Sequence, residues 1–195
     1  MTPAPALAVQ RLTKSFGGLL VTASVDLTVA PGERRLIIGP NGAGKTTLFN
    51  LVTGELRPDG GTVTLFGRDI TRIPGWHRAH LGISRTYQII TLFPRETLLR
   101  NVTLSLLGRS RLGWNPIARL ERQAAVLDRA RAALARVGLE HLAARPLAQT
   151  SYGERRRVEI AMALAQEPHV LLLDEPFPGL SIEERRDVLR LVTAI

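Results

Sequence analysis

Apolar and polar positions alternate from Leu7 to Val29, first in ALAVQRLTKSF and then in VTASVDLTV, with Gly17-Gly18 between the two runs. A period of two predicts a pair of strands joined by a turn. Pro31-Gly32 punctuates the chain, and Arg35-Leu36-Ile37-Ile38 predicts a short buried strand. A helix is expected from Lys45 to about Thr53, then a turn at Pro58-Asp59-Gly60-Gly61, a strand over Thr62 to Phe66 and another over Gly82 to Tyr87. From Arg95 to Val137 the texture changes: Leu, Ala and Arg recur at helical spacing, most clearly over Ala118 to Val137. A second helix is predicted from Ser151 to Gln166, and a last one from Glu183 to Thr193. Between them, Val170-Leu171-Leu172-Leu173 is apolar throughout, as in a parallel strand buried on both faces. Strands and helices that alternate in this way predict an α/β fold. We read the chain as a single domain over residues 1–195 with a helical insert over roughly 90–165.

Composition narrows this picture. The 195 residues are 45% hydrophobic, enough for a sizeable core. There is no Cys, which excludes disulfides and thiolate metal sites and suits a reducing compartment. No apolar run approaches the ~20 residues of a membrane-spanning helix, and MTPAPALAVQ lacks the regions of a signal peptide. The formal net charge of +9 points to acidic partners in general. Nearly all of that charge is Arg, since only Lys14 and Lys45 are lysines, which argues for a coding bias rather than a nucleic-acid patch. Arg155-Arg156-Arg157 is the one dense run, and it is read as a solvated or acid-paired helix face.

The stretch IIGPNGAGKTTLFN carries the first chemistry. Gly39-Pro40-Asn41-Gly42-Ala43-Gly44-Lys45-Thr46 matches G-x-x-x-x-G-K-[ST], between a predicted strand and a predicted helix. Its glycines let successive backbone N–H groups converge on phosphate oxygens, and the helix N-terminus adds partial positive charge. Lys45 is expected to reach the β- and γ-phosphates and the Thr46 hydroxyl to ligate Mg²⁺. Pro40, Asn41, Ala43 and Thr47 complete the candidate nucleotide contacts of the loop and first turn.

Such a site also needs a second contact to the metal and a group to orient water. The apolar strand Val170 to Leu173 ends in Asp174-Glu175-Pro176. Asp174 is expected to hold the metal, and Glu175 to position or deprotonate the attacking water.

With these two motifs in place, the chain resembles the ATP-binding subunit of an ABC transporter. A third stretch carries the resemblance: SYGERRRVEIA, Ser151 to Ala161, is similar to the family signature LSGGQ, with Thr150 for the Leu, Tyr152 for a Gly and Glu154 for the Gln. The resemblance implies a P-loop NTPase fold with a RecA-like parallel core, an N-terminal antiparallel β portion and a helical subdomain insert. It implies that Ser151 and Gly153 face the γ-phosphate held by a second ATP-binding subunit. Gln88 matches a glutamine that contacts Mg²⁺ and water and senses the membrane subunit, and Phe16 an aromatic that stacks on adenine. The groove after Gln88, roughly Ile89 to Arg100, offers Leu92 and Phe93 to membrane permease subunits. The stretches FGGL, TGELRPDGGTV and LGISRTYQIITLFPRETLLRNV look like the branched-chain amino-acid importer branch. Similar ATPases serve urea or amide importers and lipopolysaccharide export. The implied assembly includes a solute-binding protein and no nucleic acid, at the cytoplasmic face of the cell membrane. A soluble ATPase acting on ribosomes or DNA, and a catalytically impaired remnant, are the alternatives.

Two positions depart from the family. Ser181 stands where an Asp is usual about seven residues beyond Asp174. A switch histidine is expected on a further strand some 30 residues beyond the Asp-Glu pair, whereas His77, His80, His141 and His169 all precede Asp174. On this basis the chain is expected to be an incomplete gene product or a fragment of a longer reading frame, the alternative being a short ATPase with a substitute strand.

Overall fold

The structure, a computed structural model, describes residues 4–86, 92–108, 124–177 and 179–194. It divides into two compact units, Met1–Ile83 and Ser84–Ile195.

The first unit is built on the alternating N-terminal stretch. Strands β1 (Leu7–Phe16) and β2 (Leu19–Val29) form an antiparallel pair that turns at Gly17 and Gly18. Beyond the phosphate-loop sequence lies helix α1 (Lys45–Thr53), at the expected bounds. Strands β3 (Gly60–Leu65) and β4 (Arg68–Asp69) then complete a sheet of order β2-β1-β3-β4. Leu7, Val9 and Leu12 of β1 are buried, as are Val63 and Leu65 of β3 and Leu48, Leu51 and Val52 of α1. A short helix not expected from the sequence, α2 (Gly75–His80), follows Pro74. At six residues it is too short for hydrophobic periodicity to declare it.

The register of β1 shifts between Val9 and Leu12 against β2, and between Gln10 and Thr13 against β3. Arg11 sits in that irregularity with a φ of 48°, its N–H donating to Asp26 Oδ1 at 2.8 Å. Gly61 lies opposite with a φ of 84°, and a Cβ there would collide with the carbonyl oxygens of Gln10 and Arg11.

The second unit holds β5 (Ile83–Thr86), α3 (Leu98–Leu107), α4 (Ala124–Arg136), α5 (Tyr152–Ala165), β6 (Val170–Leu173) and α6 (Ile182–Ala194). Its core joins α3, α4 and α5 through residues one turn apart: Leu98, Val102 and Leu106; Ala130, Ala133 and Leu134; Ile160, Ala161 and Leu164. Asn101 is fully buried on α3, and its side chain is bonded to both the N–H and the carbonyl of Phe93, at 2.8 and 3.1 Å.

Two strand expectations differ from the structure. Residues 33–40 have no strand conformation, and Leu36 and Ile38 are 77% and 83% exposed. Strand β6 forms where expected, but all four of its residues are half-buried rather than buried on both faces. The reason is common to both. A strand is defined by its partners; among the described residues no strand pairs with 35–38, and β6 has only β5 beside it.

Gly61→Ala is expected to destabilise the first unit by more than the ~1–2 kcal/mol of a left-handed L-residue, because the methyl group also meets two carbonyl oxygens across the bulge. A denaturant titration against Gly60→Ala, where the nearest atom is Thr13 Cβ at 3.8 Å, separates the two effects.

Candidate functional site

In the first unit, Gly44 is the N-cap of α1 in the left-handed conformation, φ 82°, and α1 has neither a side-chain cap nor an acidic residue in its first turn. Its leading amides therefore lack the acceptor that most helix starts supply from a side chain. A Cβ on Gly44 would lie 2.8 Å from the Val21 carbonyl oxygen, so strand β2 and the loop approach closely only because this residue is glycine. The loop closes on itself through the Ala43 N–H, which donates to the Pro40 carbonyl at 3.2 Å. The Lys45 ammonium folds back into the loop and donates to the carbonyls of Gly39 and Pro40, at 2.7 and 2.8 Å. Gly39, Asn41, Gly42, Thr46 and Thr47 thus belong to a loop and first turn that join one cation to a helix start without a side-chain cap, a layout suited to an anion.

Phe16 ends β1 with 45% of its surface exposed. The Lys14 ammonium lies 5.6 Å from its ring centroid and is anchored 2.7 Å from Asp59 Oδ1. Asp59 also accepts the Ser15 N–H, and these two partners, Lys14 above all, hold its carboxyl below the usual range.

In the second unit, Asp174 and Glu175 follow β6. The Asp174 carboxylate is ion-paired with Arg85 of β5 at 2.7 Å, and both side chains are only 4% exposed. Glu175 has a φ of 43°, a conformation that costs an L-residue about 1–2 kcal/mol. Arg156 holds this turn. One guanidinium nitrogen donates to the carbonyls of Asp174 and Glu175 at 2.6 and 3.0 Å, and the other to Glu159 Oε2 at 2.6 Å. Burial pushes the Glu159 carboxyl up, and the Arg156 guanidinium opposes part of that shift. Of the arginine run, Arg156 is thus acid-paired as expected, but it lies inside the protein rather than on a solvated face.

Helix α5 begins with Ser151 as its N-cap and a complete capping box: Glu154 N–H donates to Ser151 Oγ at 3.1 Å, and Ser151 N–H to Glu154 Oε2 at 2.7 Å. The candidate anion contacts at this helix start are already engaged by a carboxylate of the same chain. Glu184 of α6 accepts from Ser181 N–H at 2.9 Å through Oε2, and its Oε1 lies 3.4 Å from Ser151 Oγ. Ser181 N–H is the main cause that holds this carboxyl below the usual range, with Ser151 and the Gly153 N–H as smaller ones. A Cβ on Gly153 would collide with Glu184.

The structure therefore brings Asp174 and Glu175 together with Arg85 and Arg156, and Ser151 and Gly153 together with Glu184. The phosphate loop and Phe16 belong to the other unit. Gln88 and residues 89–91 lie outside the described residues; Leu92 packs against the core of the second unit, whereas Phe93 is 56% exposed. Sequence reasoning missed Arg85, Arg156 and Glu184. Arg85 could have been found as the single charge in the strand ISRT, and Glu184 as the third residue after a Ser at a helix start.

Residues 22–178 match the ABC transporter family. The chain is 39% identical over 197 residues to LivG of Salmonella typhimurium, a high-affinity branched-chain amino acid transport ATP-binding protein, covering 98% of this chain and 77% of LivG. It is 38% identical over 200 residues to BraF of Pseudomonas aeruginosa, which bears the same description, with the same coverage. Among solved structures, a nucleotide-free ATP-binding cassette from an ABC transporter superposes with a TM-score of 0.86 at 30% identity, over 97% of this chain and 76% of that one. An ABC transporter cassette in its ADP conformation gives 0.85 at 31% identity over the same shares.

Removal of Arg156 leaves Glu159 as a buried, unpaired carboxylate. Arg156→Met is expected to cost about 3–5 kcal/mol, and the double variant Arg156→Met/Glu159→Met to recover much of it. Burial raises the folded-state pKa of Glu159 above its unfolded value. The penalty in Arg156→Met is therefore present at neutral pH and shrinks as pH falls through that raised pKa. Urea midpoints of the three proteins, measured at neutral and mildly acidic pH, check both points.

Proposed function

Because the chain belongs to the ABC transporter ATP-binding family, we propose that it is the ATP-hydrolysing motor subunit of an importer for branched-chain amino acids, or for related amides or urea. The observation that carries this reading is the start of α1: uncapped amides behind a glycine-rich loop, with Lys45 held inside it. Support for the solute class comes from the 38–39% identity to LivG and BraF over 98% of the chain.

ATP lies with its adenine on Phe16 and its phosphates on the amides of Gly42 to Thr47. Lys45 exchanges the carbonyls of Gly39 and Pro40 for the β- and γ-phosphate oxygens. The Thr46 hydroxyl and the buried Asp174 carboxylate are each hard oxygen donors of the kind a divalent cation takes. Thr46, Gln88 and Asp174 are the residues that would hold Mg²⁺, and the chemistry it would supply is neutralisation of phosphate charge. Among the described residues no group of three or more His, Cys, Asp or Glu is placed to hold a metal by itself. Glu175 orients the attacking water and accepts its proton. Its backbone is fixed by Arg156, so the carboxylate is aimed by α5.

A second ATP-binding subunit completes each site with Ser151 and Gly153. The γ-phosphate must then displace Glu184 from these groups, and α6 contributes to the cost of closure. Closure acts on membrane permease subunits through the segment around Phe93, whose backbone is clamped to α3 by Asn101. A solute-binding protein outside the membrane belongs to the wider assembly, and the subunit sits peripherally at the cytoplasmic face. No helix among the described residues is long and apolar enough to cross a membrane.

Glu175→Gln is expected to reduce ATP turnover by at least ~10²-fold, the usual weight of a general base, while equilibrium binding of ATP stays within about twofold of the parent, since an isosteric amide leaves uniform binding intact. Phosphate release and equilibrium dialysis with labelled ATP read the two quantities. Unchanged turnover would remove Glu175 from the mechanism. Transport of leucine against urea in vesicles carrying the permease subunits decides the solute class.

A further inference from the structure

We propose that Arg78 is a positioning residue for nucleotide binding: its guanidinium anchors the far end of α1, so that the amides at the near end stay aimed at the phosphates. Arg78 lies on α2, is 1% exposed, and uses every part of its fork on backbone carbonyls. Nε donates to Ile73 at 2.7 Å, Nη2 to Thr71 at 2.8 Å, and Nη1 to both Leu51 and Val52 at 2.7 and 2.8 Å. Leu51 and Val52 belong to the last turn of α1, where carbonyls have no intrahelical donor. A cation there complements the negative end of the helix, opposite the end that meets phosphate.

The seat is built around this side chain. Gly54 caps α1 with a φ of 81°, and a Cβ there would lie 2.7 Å from Arg78 Nε. Gly75 opens α2, and a Cβ on it would lie 3.0 Å from the Thr53 carbonyl oxygen. One glycine thus clears the guanidinium and the other lets α2 approach the end of α1. A nine-residue helix is too short to be stable alone, so its direction comes from what holds it. Leu48, Leu51 and Val52 pack one side, and Arg78 fixes the C-terminal end. A tilt at that end swings Lys45, Thr46 and the loop amides, because α1 moves as a rod about 13 Å long.

If Arg78 served stability alone, its loss would lower the melting temperature and leave the nucleotide affinity of the folded protein unchanged. As a positioning residue it acts on phosphate binding, and its loss raises KM more than it lowers kcat. Three variants test this below their melting temperatures: Arg78→Met, Arg78→Lys and Gly54→Ala. Each is expected to raise the KM for ATP, and the Kd of a fluorescent ATP analogue, on the order of fivefold, the scale of a helix-end charge with its hydrogen bonds; kcat is expected to change less. Lysine does not restore binding, because a single ammonium cannot reach carbonyls on both sides of the fork. Gly54→Ala reproduces the defect with Arg78 present, and adds little to Arg78→Lys in the double variant. The proposal is overturned if KM and Kd stay within twofold while the melting temperature falls, or if Arg78→Lys binds like the parent. Should Arg78→Met fail to fold, normal ATP binding by a folded Gly54→Ala overturns it equally.

Discussion

The first amides of an α-helix have no intrahelical acceptors and its last carbonyls no intrahelical donors, and the chain treats the two ends of α1 differently. At the start it supplies no side-chain cap and no carboxylate, only a left-handed glycine. At the end it supplies a left-handed glycine and a buried guanidinium. One end has no side-chain cap, and the other is satisfied by the protein. The same division recurs in the second unit, where the buried guanidinium of Arg156 closes on the carbonyls that carry Asp174 and Glu175. In both places an arginine serves the backbone beneath the chemistry and leaves the chemistry itself to other residues.

That arrangement also changes what the basic composition means. A net charge of +9 invites a search for an anionic surface partner. Arg78, Arg85 and Arg156 are instead drawn inside, onto carbonyls or a carboxylate. A planar fork with five donors suits such sites, where a lysine ammonium could not span the acceptors. The two lysines do local work: Lys45 in the phosphate loop and Lys14 beside Phe16. Composition reports how many charges a chain has, and only the fold reports which of them water sees.

Much of the fold was legible because it rests on local rules. The bounds of α1 followed from a glycine-rich loop and an apolar run, and the β1–β2 hairpin from alternation around Gly17-Gly18. The start of α5 followed from Ser151, and the structure adds its capping box. The phosphate-loop sequence and the acids after β6 could be singled out for the same reason, since each is a contiguous string, and their roles belong to the function proposed above. What escaped was non-local. Hydrophobic pattern reports a wish for burial and not the partner that provides it, so RLII at 35–38 read as a strand that the structure does not form. Arg85 meets Asp174 across 89 residues and Arg78 meets Leu51 across 27, distances along the chain at which spacing carries no signal.

The partners already present set the terms on which a nucleotide could bind. Lys45 is held by two carbonyls, Asp174 by Arg85, and the start of α5 by Glu184. The Lys45 and Asp174 contacts are short, whereas Glu184 Oε1 lies 3.4 Å from an exposed Ser151 Oγ; in the proposed reading each occupies a group that phosphate or Mg²⁺ engages. Binding is therefore an exchange of partners, and its free energy is a difference between two satisfied arrangements rather than the sum of new contacts. In the proposed reading Lys45 takes phosphate oxygens, Asp174 takes the metal, and Ser151 takes the γ-phosphate held by a second subunit. On that same reading a nucleotide without the γ-phosphate leaves Glu184 beside Ser151, and closure would then depend on the triphosphate through a carboxylate at the start of α6.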